Sequence, residues 1–271
     1  LHIDAPKPEL EDWEQMVERI RNRSREVHIG LVGKYVKLHD AYLSVAEAMN
    51  HAGYELNTFV KIHWIDSENI RSDNVKEILE GLDGIIVPGG FGNRGIEGMI
   101  LSANYARENQ IPYFGICLGM QIAVIEFARN VLGLKCAHSG EFDEQCAHKV
   151  IDFMPGQSEE IDKGGTLRLG SYPCSIKAGT KMEQCYGNKL IHERHRHRYE
   201  FNNKYREELM RAGLVISGTS PDDRLVETVE LKEHPFFVGV QFHPEFKSRP
   251  NQSHPLFKGF VSAALLKRNA D

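Results

Sequence analysis

Pro112-Tyr113-Phe114-Gly115-Ile116-Cys117-Leu118-Gly119-Met120-Gln121 is a short apolar run that stops at a cysteine flanked by glycines, with an apolar helix predicted over 122–127 close behind it. Such a run fits a strand buried on both faces, as in parallel sheets covered by helices. The pattern recurs on either side. Upstream, strands are predicted at 27–33, 59–65 and 84–87, with helices at 41–51, 75–80 and 96–108. Downstream come a helix at 206–212, strands at 214–216, 225–231 and 236–242, and a last helix at 255–267. Strands alternating with helices form βαβ units, so the fold class is α/β with a central, mostly parallel sheet flanked by helices. Between 141 and 182 short β-like stretches are broken by Gly156, Gly164-Gly165, Gly170 and Gly179, which predicts a smaller antiparallel β region. Leu10, Trp13, Val17 and Ile20 recur at helical spacing and predict a helix over 9–22, packed on its own domain or on a partner segment.

The chain has 271 residues, 41% apolar and 26% charged, usage that excludes collagen, coiled coil and wholesale disorder. With 33 Lys+Arg against 38 Asp+Glu the formal charge is −5, so no global basic field exists to hold nucleic acid. Five cysteines without a C-x-x-C pair argue against a disulfide framework and a structural zinc site, and a reducing, cytoplasmic setting is expected. Residues 1–8 lack the charged and apolar regions of a signal peptide, and no apolar window reaches the length of a membrane span. The absence of an initiator Met and the linker-like Pro6 and Pro8 suggest a piece of a longer chain.

Three stretches could carry chemistry. Gly115-Ile116-Cys117-Leu118-Gly119 between strand and helix is the nucleophile-elbow pattern with sulfur in place of oxygen; the glycines permit the sharp turn, and a helix N-terminus favours thiolate. In Gln241-Phe242-His243-Pro244-Glu245-Phe246 the histidine and glutamate stand two apart, so in extended chain both face one side and the carboxylate can orient the imidazole. Pro88-Gly89-Gly90-Phe91-Gly92, at the end of another predicted strand, lets backbone N–H groups approach an oxyanion. All three sit at the carboxyl ends of strands, where open α/β sheets place their sites. Gly30-Leu31-Val32-Gly33-Lys34 has neither G-x-G-x-x-G spacing nor a Walker A pattern, and His195 and His197 lack the companions of a metal site. The mixed charged run from His192 to Arg198 reads as a solvated face with substrate and interface roles. Cys136, Cys146, Cys174 and Cys185 read as ordinary small residues or surface thiols.

PGGFG, GICLGMQ and FHPEF resemble the class I (triad) glutamine amidotransferases, with the glutaminase half of CTP synthases as the nearest resemblance. Gly33-Lys34-Tyr35, Asp40 to Val45, Phe91 to Gly95, Gly165 to Gly170 and the run Glu193-Arg194-His195-Arg196-His197-Arg198-Tyr199-Glu200 support the narrower match. It implies a linker and leading helix over 1–25 and one glutaminase domain over 26–271. It also implies Cys117 as nucleophile, His243 as base and Glu245 as its orienting carboxylate, with Gly90 and Leu118 N–H groups as oxyanion donors. Gly90, Phe91, Leu118, Gln121, Glu141 and Arg198 would bind L-glutamine, Glu141 meeting the α-ammonium and Arg198 the α-carboxylate; Arg94 and Glu97 would serve GTP or an interface. No metal or cofactor is expected here. ATP and Mg would belong to a separate synthetase domain, GTP would activate the full enzyme, and that enzyme would be a homo-oligomer, a tetramer. The alternatives are the glutaminase of another amidotransferase, a γ-glutamyl hydrolase, or a non-catalytic regulatory module of the same fold.

Overall fold

The computed structural model describes residues 7–153 and 168–270. The expected breaks at Gly156 and Gly164-Gly165, and Pro6, lie outside them. In chain order the elements are α1 (Glu11–Arg21), β1 (Arg25–Gly33), α2 (Leu43–Glu55), β2 (Thr58–Asp66), α3 (Val75–Leu79), β3 (Gly84–Val87), α4 (Ile96–Glu108), β4 (Tyr113–Ile116) and α5 (Leu118–Asn130). They continue with β5 (Ala137–Ser139), β6 (His148–Phe153), β7 (Arg168–Ile176), α6 (Lys181–Tyr186), β8 (Leu190–His197), β9 (Tyr199–Phe201), α7 (Arg206–Arg211), β10 (Leu214–Thr219), β11 (Val226–Leu231), β12 (Phe237–Val240) and α8 (Pro255–Arg268).

Successive strand residues point to opposite faces, so a run apolar at every position fills two cores at once. Ile85, Val87 and Tyr113 pack with α4 and α5, whereas Ile86, Phe114 and Ile116 pack with α2 and α8. One nine-stranded sheet therefore lies between two helical layers, in the order β2-β1-β3-β4-β12-β11-β10-β7-β8. From β2 to β12 every pairing is parallel; from β12 to β8 every pairing is antiparallel. The expected antiparallel region is thus partly continuous with the parallel core. The rest is a small sheet, β5-β6-β9, in which β6 runs antiparallel to β9 and parallel to β5.

Three local expectations are refined. Of the stripe along α1, Leu10, Trp13 and Val17 are exposed and Ile20 is half-buried, while Met16 is the buried residue, so most of the stripe does not pack on this domain. The helix predicted over 122–127 begins at Leu118, directly behind Cys117. Helix α6 falls where Gly179 suggests a loop, and side chains cap its start: Thr180 accepts from Glu183 N at 3.2 Å and Glu183 accepts from Gly179 N at 2.7 Å.

Candidate active site

Parallel register brings three strand ends to one level. Val87 of β3 pairs with Gly115 of β4, which pairs with Gly239 of β12. The next residues of each chain, Pro88-Gly89-Gly90, Ile116-Cys117 and Val240 to His243, therefore emerge side by side at the carboxyl edge of the sheet. The Cys117 N–H donates to Val240 O at 2.7 Å, and the His243 N–H donates to Arg194 O at 2.7 Å, which moors the histidine to β8.

Cys117 has φ 51° and ψ −99°, a conformation that L-residues rarely adopt and that marks a strained elbow. The turn can be this tight only because its flanks lack side chains: a Cβ on Gly115 would strike the Gly119 carbonyl, and one on Gly119 would strike the Val87 carbonyl. Leu118 opens α5, so its N–H belongs to the first turn, where donors have no partner within the helix. His243 Nδ1 stands 2.8 Å from Glu245 Oε1, and its ring stacks on Phe246 at 5.6 Å. Burial alone would lower the His243 pKa, but the adjacent Cys117 sulfur and the Glu245 carboxylate outweigh it and push it up. The Glu245 carboxylate is placed to hold the imidazole ring when it is charged. Gly89 closes the other side, since a Cβ there would lie 2.9 Å from His243 Cε1.

A cavity of about 350 Å³ opens over Cys117, lined by Gly90, Phe91, Leu118, Gln121, Glu141, Arg196, His197, Arg198 and Tyr199. Its lining carries opposite charges, the Glu141 carboxylate and the Arg196 and Arg198 guanidinium groups. Burial raises the Glu141 pKa against the opposing pull of the Gly92 N–H, Lys34 and Arg198. That leaves a carboxylate short of solvation, suited to meeting a cation. A second cavity of about 240 Å³ adjoins, sharing Gly90, Phe91, Cys117 and Arg196 and lined also by Tyr35, Tyr42, His243 and Phe246.

All six residues expected to hold substrate line the larger cavity together with Cys117. Arg94 and Glu97 do not. Arg94 donates to Lys34 O at 3.0 Å and pairs with Glu68, while Glu97 is held by Arg129 at 2.8 Å. The run from His192 to Arg198 is not a solvated face. On β8, Ile191, Glu193, His195 and His197 are buried, and His192, Arg194 and Arg196 face outward. Cys174 is buried, Cys136 is exposed, and Cys146 and Cys185 are half-buried, all as free thiols.

Two buried side chains beside the site lie outside the sequence-based expectations. Lys34 is buried and donates from Nζ to Phe91 O at 3.2 Å and to Gly92 O, fastening the glycine loop; burial lowers its pKa to about 8, with Glu141 opposing and Arg94 assisting. In the sequence, Gly33-Lys34-Tyr35 enters only as part of the family resemblance and as a poor nucleotide motif, with no role for the lysine itself. Gln241 is buried with Nε2 3.7 Å from Cys117 Sγ, and no local pattern announces it. Among the described residues no group of three or more His, Cys, Asp or Glu is placed to hold a metal, and no helix is long and apolar enough to cross a membrane.

The model of the family "Glutamine amidotransferase class-I" matches residues 37–263. The chain belongs to the class I glutamine amidotransferases. Within this amidotransferase family it is 60% identical over 265 residues to a CTP synthase of Listeria innocua, covering 98% of this chain and 50% of the relative. It is 56% identical over 269 residues to a CTP synthase of Bacillus subtilis, covering 99% and 50%. The chain thus spans about half the length of these curated relatives. The Trypanosoma brucei CTPS glutaminase domain with bound acivicin superposes with a TM-score of 0.84 at 41% identity, covering 88% of this chain and 93% of that one. This amidotransferase domain is therefore of the CTP synthase glutaminase type.

Proposed function

We propose that this domain hydrolyses L-glutamine to glutamate and ammonia, and that a synthetase domain elsewhere in the full protein uses the ammonia to aminate UTP to CTP with ATP. The observation that carries the reading is a cysteine on a strained elbow, backed by an imidazole–carboxylate pair, beneath a cavity with a carboxylate and a guanidinium at its wall.

Glutamine presents an ammonium, a carboxylate and a neutral amide. Glu141 takes the α-ammonium and Arg198 the α-carboxylate through its two-pronged donor face, which carries the side-chain amide toward Cys117. Phe91 and Gln121 flank the bound chain. The Cys117 thiolate attacks the amide carbon and forms the C–S bond, and the developing oxyanion takes the N–H groups of Gly90 and Leu118. His243 gives its proton to the departing nitrogen as the C–N bond breaks, leaving ammonia and a thioester. A water then gives a proton to neutral His243 while its oxygen attacks the thioester, and glutamate leaves as the thiolate and imidazolium re-form. Glu245 keeps the ring in the productive tautomer throughout.

ATP and Mg belong to the synthetase portion and GTP activates the whole enzyme, which works as a homotetramer in the cytoplasm. Arg94, half exposed above Tyr35, offers a charged face to such a nucleotide.

Arg198→Ala and Glu141→Gln test the substrate assignment. Each removes one charged contact worth about 1.5–3 kcal/mol, so KM for glutamine rises roughly 10- to 100-fold with kcat nearly unchanged. Steady-state glutaminase kinetics with an unchanged KM in both variants would overturn the pose.

A further inference from the structure

Beyond His243, one more side chain reaches the nucleophilic sulfur. Gln241 Nε2 donates toward Cys117 Sγ at 3.7 Å from a wholly buried amide. Which end of that amide faces sulfur is decided by a chain of contacts. Tyr199 O, a carbonyl, can only accept, and Gln121 Nε2 donates to it at 3.0 Å. The same Gln121 nitrogen donates to Gln241 Oε1 at 3.4 Å. With its oxygen engaged there, Gln241 turns its NH₂ to the sulfur.

The anchor extends further. His197 Nδ1 stands 3.3 Å from Tyr199 O, so it must carry the proton there, which leaves Nε2 as an acceptor. His195 Nδ1 lies 2.8 Å from that Nε2 and must therefore donate. Burial, with nearby Arg168 adding to it, pushes both imidazoles far below the ordinary histidine range, so neither gains a second proton that would reverse the order. Two donor branches therefore converge on Tyr199 O, one from His195 through His197 and one from Gln121, and Gln121 alone continues through Gln241 to Cys117.

We propose that Gln241 is a further catalytic residue, an N–H donor that stabilises the Cys117 thiolate and fixes its direction of attack, while Gln121, itself held on Tyr199 O, positions its amide. A hydrogen bond to a charged sulfur is strong and weakens once the sulfur becomes a neutral thioester, so the contact favours the nucleophile over the intermediate. The inference rests on Cys117 being the nucleophile proposed above, and its test therefore reads the thiol without glutamine.

In the full-length protein, iodoacetamide alkylation of the Cys117 peptide is followed by mass spectrometry from pH 5.5 to 9.5, for the natural chain and for Gln241→Met, which keeps bulk and removes the donor. The expected result is an alkylation rate about tenfold lower at pH 7, with the profile displaced by about one unit to higher pH and the alkaline plateau retained, since a hydrogen bond to a charged group has this order of strength. kcat for glutamine falls in parallel while KM holds. Gln241→Asn, which withdraws the amide by one methylene, carries the same expectation if the methionine variant does not fold. An unchanged alkylation profile in the folded variant overturns the proposal, even if glutaminase activity is lost. Failure of the natural protein to hydrolyse glutamine would instead overturn the reading of the site and leave the alkylation result to judge Gln241 by itself.

Discussion

Cys117→Ala abolishes glutamine hydrolysis, with kcat falling about 10⁴-fold or more, because no other group can form the covalent intermediate. Alanine tolerates the elbow no worse than cysteine does, both being L-residues with a Cβ, and the collisions that demand glycine are at Gly115 and Gly119. The fold and the charges at Glu141 and Arg198 persist, so the variant still binds glutamine. In the full-length protein, CTP formation from added ammonia survives, because ammonia bypasses Cys117. Paired assays with glutamine and with ammonium salt separate the outcomes: loss of both activities would indicate a damaged fold, and retention of both would remove Cys117 from the mechanism.

Arg168→Met produces the largest expected loss of stability. The guanidinium is buried, stacked 4.5 Å over Tyr172, with Nη2 2.6 Å from Glu227 and Nη1 3.6 Å from Glu200. Burial raises the pKa of both carboxyls, Glu200 to about 8, where Glu227 adds repulsion and Arg168 opposes the rise. Removing the cation leaves two carboxyls without a counterion, at a cost of about 3–5 kcal/mol. The sign with pH follows from linkage. A carboxyl whose folded pKa lies above its unfolded value stabilises most below the unfolded value and loses that contribution as pH rises through the folded one. The deficit of Arg168→Met is therefore greatest above about pH 8 and shrinks toward pH 5, as both carboxyls accept protons. Urea unfolding at pH 8.5 and 5.5 checks it; a penalty below about 1 kcal/mol at pH 8.5, or one that grows on acidification, would contradict the account.

Contrasts between residues show what the sequence could reveal. The elbow was legible because its causes are local: two glycines around Cys117, a strand before and a helix after. His243 and Glu245 were legible for the same reason, two residues apart in one extended segment. Lys34 was not, because its partners are the carbonyls of Phe91 and Gly92, brought near only when β1 pairs with β3. The run from His192 to Arg198 misled for a related reason. Its alternate residues are buried because β8 pairs with β7, where Arg168 stands opposite His197. Nothing in the run itself names that partner. Gln241 is the sharpest case, one polar residue at a strand end whose meaning depends on Gln121 and Tyr199 from two other elements.

The most direct test of the central claim is to mix the natural protein with glutamine, quench in acid at short times and map the peptides by mass spectrometry. The expected result is a γ-glutamyl thioester on the peptide that contains Cys117 and on no other cysteine. An acyl adduct on Cys136, Cys146, Cys174 or Cys185, or glutamate release with no adduct when breakdown of the thioester is slowed by substituting His243, would contradict it.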